Sequence, residues 1–235
     1  PEFDLFIKEA VSEMTTKAGQ KCTAIRRILV PEKYMEDVQF ALGKKLAKTT
    51  IGDPSVEGVR MGSLASKIQV DRVRHNVELL MKEQDIVYGD MDNFEVVGAD
   101  KDKGAFFSPI LFRNDNPFEK TAVHDIEAFG PVSTLMPYKN MDEAIRIAEM
   151  GKGSLVTSIV TADDNAAKEF VLNTAHLHGR ILVLNERCAK ESTGHGSPMP
   201  LLSHGGPGRA GGGPRGGRAV AARAGARARR GPRRA

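Results

Sequence analysis

The sequence predicts an α/β fold in which a mostly parallel sheet is flanked by helices. Three observations support this prediction: an ordinary globular composition, alternating strand-like and helix-like segments, and helix ends marked by capping residues. Hydrophobic residues make up 40% and charged residues 27% of the 235 residues, which suits one large domain or two small ones. Short links between the strands and helices imply crossover connections, and such connections join parallel strands.

The first part of the chain reads as helix, strand, helix and helix. Apolar residues recur every three or four positions in the helical segments, and Gly19 stands where a residue following a helix is often glycine. A short apolar run after Cys22 stops at Pro31, which lacks the N–H that a strand needs. In order, the sequence predicts a helix over 3–18, a strand over 24–31, a helix over 32–48, a turn at 52–55, a helix over 66–84 and a strand-poor stretch to about residue 104.

The clearest alternation of strands and helices lies between residues 131 and 185. Asn140 is predicted to cap the first helix of this part, with acidic residues in the first turn and Gly151 at the end. An aspartate is predicted to cap the second helix and Gly179 to terminate it. The predicted elements are a strand over 131–139, a helix over 140–151, a strand over 154–162, a helix over 163–179 and a strand over 180–185.

The positive charge of the chain is concentrated in its last segment. The formal net charge is +4, and residues 209–235 contain nine arginines and no acidic residue. Removing those nine charges leaves −5, so the body of the protein is mildly acidic. The segment is built from Arg, Ala, Gly and Pro and offers little to bury, so we expect it to be disordered. We therefore divide the chain into residues 1–208 and a tail over 209–235, and we hypothesise that residues from about Pro214 are read out of frame.

Cys22 is the candidate nucleophile. Cys22 and Cys188 are too few for a disulfide framework, so a reducing, cytoplasmic setting is the default. A lone cysteine is most often a small buried residue. Cys22 departs from that pattern because it follows Gly19 in a connection between a helix and a strand, and because two arginines at the start of the strand favour a thiolate. Alternation along the strand sends those arginines to opposite faces, so only one of them can assist. On local chemistry alone, nucleophile and buried residue stay equally open.

Four motifs follow one another along the chain: "GQKCTAIRR", "IGDPSVEGVRMGSL", "GAFFSPILF" and "EAFGPVSTLMPYKNMDEAI". In residues and order they resemble the cysteine, Gly-Asn/Asp-Pro, Gly-Tyr-Phe-x-x-Pro-Thr and Glu-x-Phe-Gly-Pro-Val motifs of the aldehyde dehydrogenase family. "GRILVLN" resembles the family's strand before the substrate-side loop. The resemblance covers roughly residues 1–210 and implies an aldehyde dehydrogenase-like catalytic domain.

Two stretches narrow the resemblance within the family. They are similar to the dehydrogenase domain of the bifunctional ring-opening enzymes of phenylacetate degradation, and they read "PEFDLFIKEAVSEMTTKAGQKCTAIRRILVP" and "AKESTGHGSPMPLLSHGGPGRAGGG". This resemblance implies a small-molecule acyl-CoA semialdehyde as substrate, oxidised to 3-oxo-5,6-dehydrosuberyl-CoA. The semialdehyde dehydrogenases of benzoyl-CoA oxidation are the close alternative. A homo-oligomeric parent protein is implied in both cases.

The resemblance also implies roles for particular residues. Cys22 would attack the aldehyde carbon to give a thiohemiacetal, hydride transfer would leave a thioester, and water would release the acid. The Cys22 backbone N–H would supply half of an oxyanion site. Glu127 and Phe129 match the residues that hold the nicotinamide ribose and pack beside the ring. The implied cofactor is NAD or NADP, with NADP slightly favoured.

The histidines give weaker indications. His195 and His204 fall in the glycine-rich loop that the family places at the substrate entrance, so they are candidates to contact an acyl-CoA substrate. His124 is interpreted as shaping the loop before Glu127. We expect no metal, because the sequence shows no metal-ligand spacing, and no membrane partner, because no apolar run reaches about 18 residues.

The family places several parts before its cysteine: the cofactor domain, a general-base glutamate and an oxyanion-site asparagine. The sequence starts at Pro1, close to Cys22, and we interpret Pro1 as a processed or cut end. The resemblance therefore implies that the N-terminal cofactor domain is largely absent from these residues. We expect the 235 residues alone to show little or no dehydrogenase turnover.

Two other classes of protein stay open. A cysteine acyltransferase or thioesterase would need a histidine base near Cys22, and a Cys22–histidine distance beyond hydrogen-bond reach would exclude it. A non-enzymatic alternative treats the arginine-rich tail as a nucleic-acid-binding arm. The tail has no aromatic residue to stack on bases, so specific nucleic-acid binding is not expected.

Overall fold

The protein was analysed as a computed structural model, which describes residues 2–197 and 204–212. Within these residues the chain forms six α-helices and eight strands, joined by short turns and four 3₁₀ turns. The helices are α1 (Glu2–Thr15), α2 (Met35–Leu46), α3 (Lys67–Leu80), α4 (Ala122–Asp125), α5 (Met141–Met150) and α6 (Asp164–Thr174). The strands are β1 (Arg27–Pro31), β2 (Asp85–Tyr88), β3 (Ile110–Arg113), β4 (Val132–Tyr138), β5 (Ser154–Val160), β6 (His178–Leu184), β7 (Gly206–Pro207) and β8 (Gly211–Gly212).

Most strand pairs are parallel. Four strands form a sheet in the order β1-β4-β3-β2, in which β4 pairs in parallel with both β1 and β3. Only β2 runs antiparallel in that sheet, against β3. The strands β5 and β6 form a second parallel pair, and β7 and β8 a short third one. The predicted α/β class, with a mostly parallel sheet and flanking helices, is confirmed.

The strands β4 and β5 follow each other along the chain but do not pair. The helix α5 carries the chain from β4 to β5, and a cavity of about 900 Å³ is lined by all residues of β1 and β5. Since β1 pairs only with β4 and β5 only with β6 among the strands described, each has one open edge. The cavity lies between these two edges, and the loop before β1 borders it.

The core explains why these segments form these elements. One buried cluster joins α1, α2, β1 and β4, with Leu42 and Leu135 almost fully enclosed. A second cluster joins α3 to β3 and the segments around it, with Val77 and Phe112 at its centre. The helices α1, α2 and α3 each place an apolar stripe in these clusters, as the 3.6-residue spacing predicts.

The predicted helix caps in the second half are confirmed. The Asn140 side chain accepts a hydrogen bond from the backbone N–H of Glu143 at 3.0 Å and caps α5. The Asp163 side chain accepts from two backbone N–H groups and caps α6. Acidic residues occupy the first turns of both helices, where the helix dipole favours negative charge.

Helix ends differ from the prediction in several places: α3, predicted to reach residue 84, ends at Leu80, and two further ends show a physical cause. The helix over 3–18 ends at Thr15, because Lys17 and Ala18 adopt left-handed φ angles of 54° and 51°. That turn swings Gly19 against Gly130, so closely that a Cβ on Gly19 would overlap the Gly130 carbonyl. Gly179 does not terminate a helix, since α6 has ended at Thr174 and residue 179 lies in β6. In both places, packing against a distant segment outweighs the local helical pattern.

The strands β2 and β3 were not predicted. The run that forms β3 is only four residues long, and β2 lies in a polar stretch. Both are stabilised by pairing with distant strands, which local sequence patterns do not reveal.

The tail is only partly described. Its residues from 213 onward, including the stretch from about Pro214 assigned to a shifted reading frame, lie outside the described residues. Arg209, at the start of the predicted tail, donates hydrogen bonds to the carbonyls of His124 and Asp125. Within residues 2–197 and 204–212, no helix has both the length and the apolar character needed to cross a bilayer.

Candidate functional site

Cys22 lies in the loop between α1 and β1. Its side chain is exposed and lines the cavity between β1 and β5. Its Sγ atom lies 3.3 Å from the Nε2 atom of His204. In the part of the chain that the structure describes, no acceptor takes the Cys22 backbone N–H. An exposed thiol with an imidazole beside it and an open backbone N–H suits nucleophilic attack on a carbonyl carbon, and the exposure does not fit a buried structural cysteine.

The side chain of Gln20 connects motifs that are far apart in the sequence. Its Nε2 atom donates to the carbonyl of Phe129 at 3.0 Å, and its Oε1 atom accepts from the backbone N–H of Ala65 at 2.7 Å. Beside it, the N–H of Leu64 donates to the carbonyl of Ala105 at 2.8 Å. The four motifs of the sequence therefore meet at one place, next to the cysteine loop.

Arg26 makes a second link between the cysteine loop and the "EAFGPV" motif. Its Nη2 atom donates to the carbonyl of Gly19 at 2.6 Å, and its Nη1 atom donates to the carbonyl of Gly130. Its Nε atom lies 3.6 Å from a carboxylate oxygen of Glu127, and its guanidinium lies 5.3 Å from the ring centroid of Phe129. Burial lowers the pKa of Arg26, and the Glu127 carboxylate opposes that change. Arg26 therefore stays charged and holds the two segments together.

Glu127 and Phe129, the predicted cofactor residues, both line the cavity that contains Cys22. Half of the Glu127 side chain is exposed, so its carboxylate can accept hydrogen bonds from hydroxyl groups of a ligand. The Phe129 ring is also exposed and has the Arg26 guanidinium near it. The structure therefore places a carboxylate and an aromatic ring on the walls of the cavity that the Cys22 thiol also lines.

Arg27 points away from this site. Its Nη1 atom donates to the carbonyl of Ile147 at 2.8 Å and lies 3.2 Å from Nδ1 of His124. Burial lowers the pKa of Arg27 to about 10, and the nearby charge of Arg209 adds to that effect. The two arginines bond to different segments, as the alternation along the strand predicted: Arg26 to Gly19 and Gly130, and Arg27 to Ile147.

The two histidines proposed as substrate contacts occupy different positions. His195 is buried, and its Nδ1 atom lies 2.6 Å from the Ser158 hydroxyl of β5. Burial lowers the pKa of His195 to about 4, and the charge of Lys21 acts in the same direction. His195 is therefore neutral at neutral pH and bonded to β5, whereas His204 is exposed at the thiol.

Sequence reasoning assigned no role to Gln20, considered Arg26 only as a positive charge near the thiol, and did not pair His204 with Cys22. For Gln20 and Arg26 a signal existed, because both are polar residues inside the cysteine motif. For His204 there was none, because 182 positions separate it from Cys22. The 3.3 Å contact is within hydrogen-bond reach, so the cysteine acyltransferase or thioesterase alternative is not excluded on distance.

Comparison with known proteins decides the family. A model described as "Aldehyde dehydrogenase family" matches residues 2–219. The chain belongs to the aldehyde dehydrogenase family. The 3,4-dehydroadipyl-CoA semialdehyde dehydrogenase of Aromatoleum evansii is 45% identical over 207 residues, which cover 88% of this chain and 40% of that relative. Protein MaoC of Klebsiella aerogenes is 47% identical over 154 residues, which cover 65% of this chain and 44% of MaoC.

Solved aldehyde dehydrogenases share the fold. The betaine aldehyde dehydrogenase of Staphylococcus aureus, solved in complex with NAD+, matches with a TM-score of 0.75 and 22% identity. The match covers 88% of this chain and 38% of that one, and at this identity it shows the fold alone. The chain spans about two fifths of the length of the curated relatives it matches.

Proposed function

We propose that residues 1–208 are the cysteine-bearing catalytic portion of an NAD(P)-dependent aldehyde dehydrogenase that oxidises a CoA-linked semialdehyde to the acid. The observation that carries this proposal is the exposed Cys22 thiol in one cavity with Glu127 and Phe129. The substrate class is supported by the relative from Aromatoleum evansii, which is named as a dehydrogenase of a CoA-linked semialdehyde.

In the proposed reaction Cys22 is the nucleophile. Its sulfur attacks the aldehyde carbon, and the Cys22 backbone N–H donates to the oxygen that becomes negative. A thiolate suits both halves of the reaction, because it is strongly nucleophilic and later leaves readily from a thioester. Arg26 and Gln20 act indirectly, by fixing the loop that carries the sulfur.

Glu127 and Phe129 are the residues of this chain that would hold the cofactor. NAD(P)+ supplies the acceptor for the aldehyde hydride when it is bound. The Glu127 carboxylate would accept hydrogen bonds from vicinal hydroxyls of the ribose, and the Phe129 ring would limit the positions of the nicotinamide. We propose NAD or NADP as the cofactor, and the family resemblance slightly favours NADP.

The finer assignment follows the family resemblance. We assign the semialdehyde to phenylacetate degradation, with the semialdehyde of benzoyl-CoA oxidation as the alternative, and the protein to the cytoplasm as a homo-oligomer. His204 stands at the thiol, where an acyl chain must arrive, and is the better placed of the two candidate substrate contacts.

The proposal is tested with a fusion protein. It joins this chain to the part of the Aromatoleum evansii enzyme that precedes the region matched here. A fusion of the amino-terminal segment of the Aromatoleum evansii enzyme with residues 2–235 is incubated with the CoA-linked semialdehyde and NAD+ or NADP+. Formation of reduced nicotinamide is followed by absorbance. We expect turnover in the fusion, and a loss of about a thousandfold or more in Cys22→Ser. Cys188→Ser, which alters the other cysteine, is the matched control and keeps its activity.

Two outcomes contradict the proposal. Turnover that survives Cys22→Ser would show that the thiol is not the nucleophile. CoA release from an acyl-CoA without any nicotinamide, lost in Cys22→Ser, would favour the thioesterase alternative. The 235 residues alone are expected to show little or no turnover, and robust oxidation by them would show that they need no further segment.

A further inference from the structure

Cys22 and His204 form a side-chain pair that the roles assigned above do not require. Their Sγ and Nε2 atoms are 3.3 Å apart, a distance at which a thiol donates a hydrogen bond to an imidazole nitrogen. Both side chains are exposed, so burial does not force the contact. The contact joins the loop after α1 to the residue two positions before β7, 182 positions away along the chain.

The segment after His204 is fixed to the folded body. The strand β7 lies so close to β5 that a Cβ on Gly206 would overlap the carbonyl of Ser154. Arg209 donates to two carbonyls in α4, at 2.6 Å in the case of Asp125. These contacts begin two residues after His204, so the imidazole is presented to the thiol from an anchored segment.

The neighbouring cations cannot take the thiol proton. The Nζ atom of Lys21 is paired with a carboxylate oxygen of Glu13 at 2.5 Å, and Arg26 is engaged with backbone carbonyls. Ammonium and guanidinium groups are donors without an accepting nitrogen at neutral pH. Within the described part of the chain, His204 is the one proton acceptor among side chains in hydrogen-bond contact with the Cys22 sulfur.

We propose that His204 is the proton acceptor for the Cys22 thiol. The S–H bond breaks and its electron pair stays on sulfur, while an N–H bond forms at Nε2. The products are a thiolate and an imidazolium, and no other reactant is consumed. The neutral tautomer that accepts at Nε2 carries its hydrogen on Nδ1. This inference deepens the proposed function. It rests on that function only for the aldehyde carbon as the atom that the thiolate attacks.

The pair is tested by alkylation of the full chain, which needs neither aldehyde nor nicotinamide. Iodoacetamide labelling of Cys22 and Cys188 is quantified by peptide mass spectrometry from about pH 6 to about pH 9, where thiols titrate. In His204→Gln we expect Cys22 labelling near neutral pH to slow about tenfold, with its pH profile moved to higher pH. The labelling of Cys188 in the same sample should not change.

Matched variants separate proton transfer from other effects. His176→Gln replaces an exposed histidine in the 3₁₀ turn after α6 and should leave Cys22 labelling at the wild-type rate. In His204→Ala, added imidazole should restore Cys22 labelling and leave Cys188 unaffected. If the variants do not fold, labelling of the wild-type chain still tests the proposal. The normalised labelling rate of Cys22 should then rise at a lower pH than that of Cys188.

The contrary results are equally specific. Three results would each refute proton transfer to His204. They are equal Cys22 labelling rates in wild type and His204→Gln, coincident pH profiles for the two cysteines of the wild type, and no rescue of His204→Ala by imidazole. None of these results would contradict aldehyde oxidation by the fusion protein. Conversely, an inactive fusion protein would not contradict proton transfer from Cys22 to His204.

Discussion

Replacing Arg26 by methionine removes the charged link between the cysteine loop and the "EAFGPV" motif. Methionine keeps most of the aliphatic volume but loses the hydrogen bonds to the carbonyls of Gly19 and Gly130. A hydrogen bond to a charged group contributes about 1.5–3 kcal/mol, and the contact with Phe129 about 0.5–1 kcal/mol. The variant also escapes the desolvation that lowers the pKa of Arg26, which offsets part of this loss. We expect the free energy of unfolding to fall by about 2–4 kcal/mol.

Urea unfolding, analysed by linear extrapolation, measures this change. The matched control is Arg187→Met, since Arg187 is mostly exposed and lies 3.9 Å from Asp164; its effect should stay within about 0.5 kcal/mol. In a double-mutant cycle with Glu127→Gln the coupling energy should be under about 1 kcal/mol, because the Glu127 side chain is half-exposed. An Arg26→Met chain as stable as wild type would refute the view that Arg26 holds the two motifs together.

Three further predictions follow from the same region and its surroundings. Gln20→Met removes two neutral hydrogen bonds and should lower the free energy of unfolding by about 2 kcal/mol in the same urea assay. Gly19→Ala should cost about 2 kcal/mol more than Gly58→Ala, because both glycines have a positive φ but only Gly19 lacks room for a Cβ; equal costs would refute the close approach. Burial lowers the pKa of His178 and His195 to about 4, while unfolded histidine titrates near 6.5. The contribution of these histidines to the free energy of unfolding should therefore be complete above about pH 6.5 and fall towards pH 4. At about pH 5 the loss should be about 2 kcal/mol per histidine, and in His195→Gln the free energy of unfolding should depend less steeply on pH.

The elements with strong local signals could be predicted from the sequence. Asn140 has the side chain and the position of a helix cap, and acidic residues follow it, so α5 begins where the pattern places it. The strands β4 and β6 are apolar runs between turn residues and are also found where expected. Local chemistry determines these ends, so no distant contact had to be known.

Other features depend on contacts that local patterns cannot show. Thr15 ends α1 because Gly19 must approach Gly130, more than a hundred positions away. The sequence motif identified Cys22 as the candidate nucleophile, but not the histidine at its sulfur or the polar links that fix its loop. Gln20 alone bonds to one residue 45 positions away and to another 109 positions away. Only the folded chain brings such residues together.

The links made by Gln20 and Arg26 have a consequence for protein engineering. Loops of related enzymes are commonly exchanged one at a time to alter specificity. Here the cysteine segment is bonded through its own side chains to the turn after Leu64 and to the segment around Phe129. An exchange that replaces one of these segments alone would leave a glutamine or an arginine facing the wrong backbone. The transferable unit is the set of three segments together, although they are scattered along almost half of the chain.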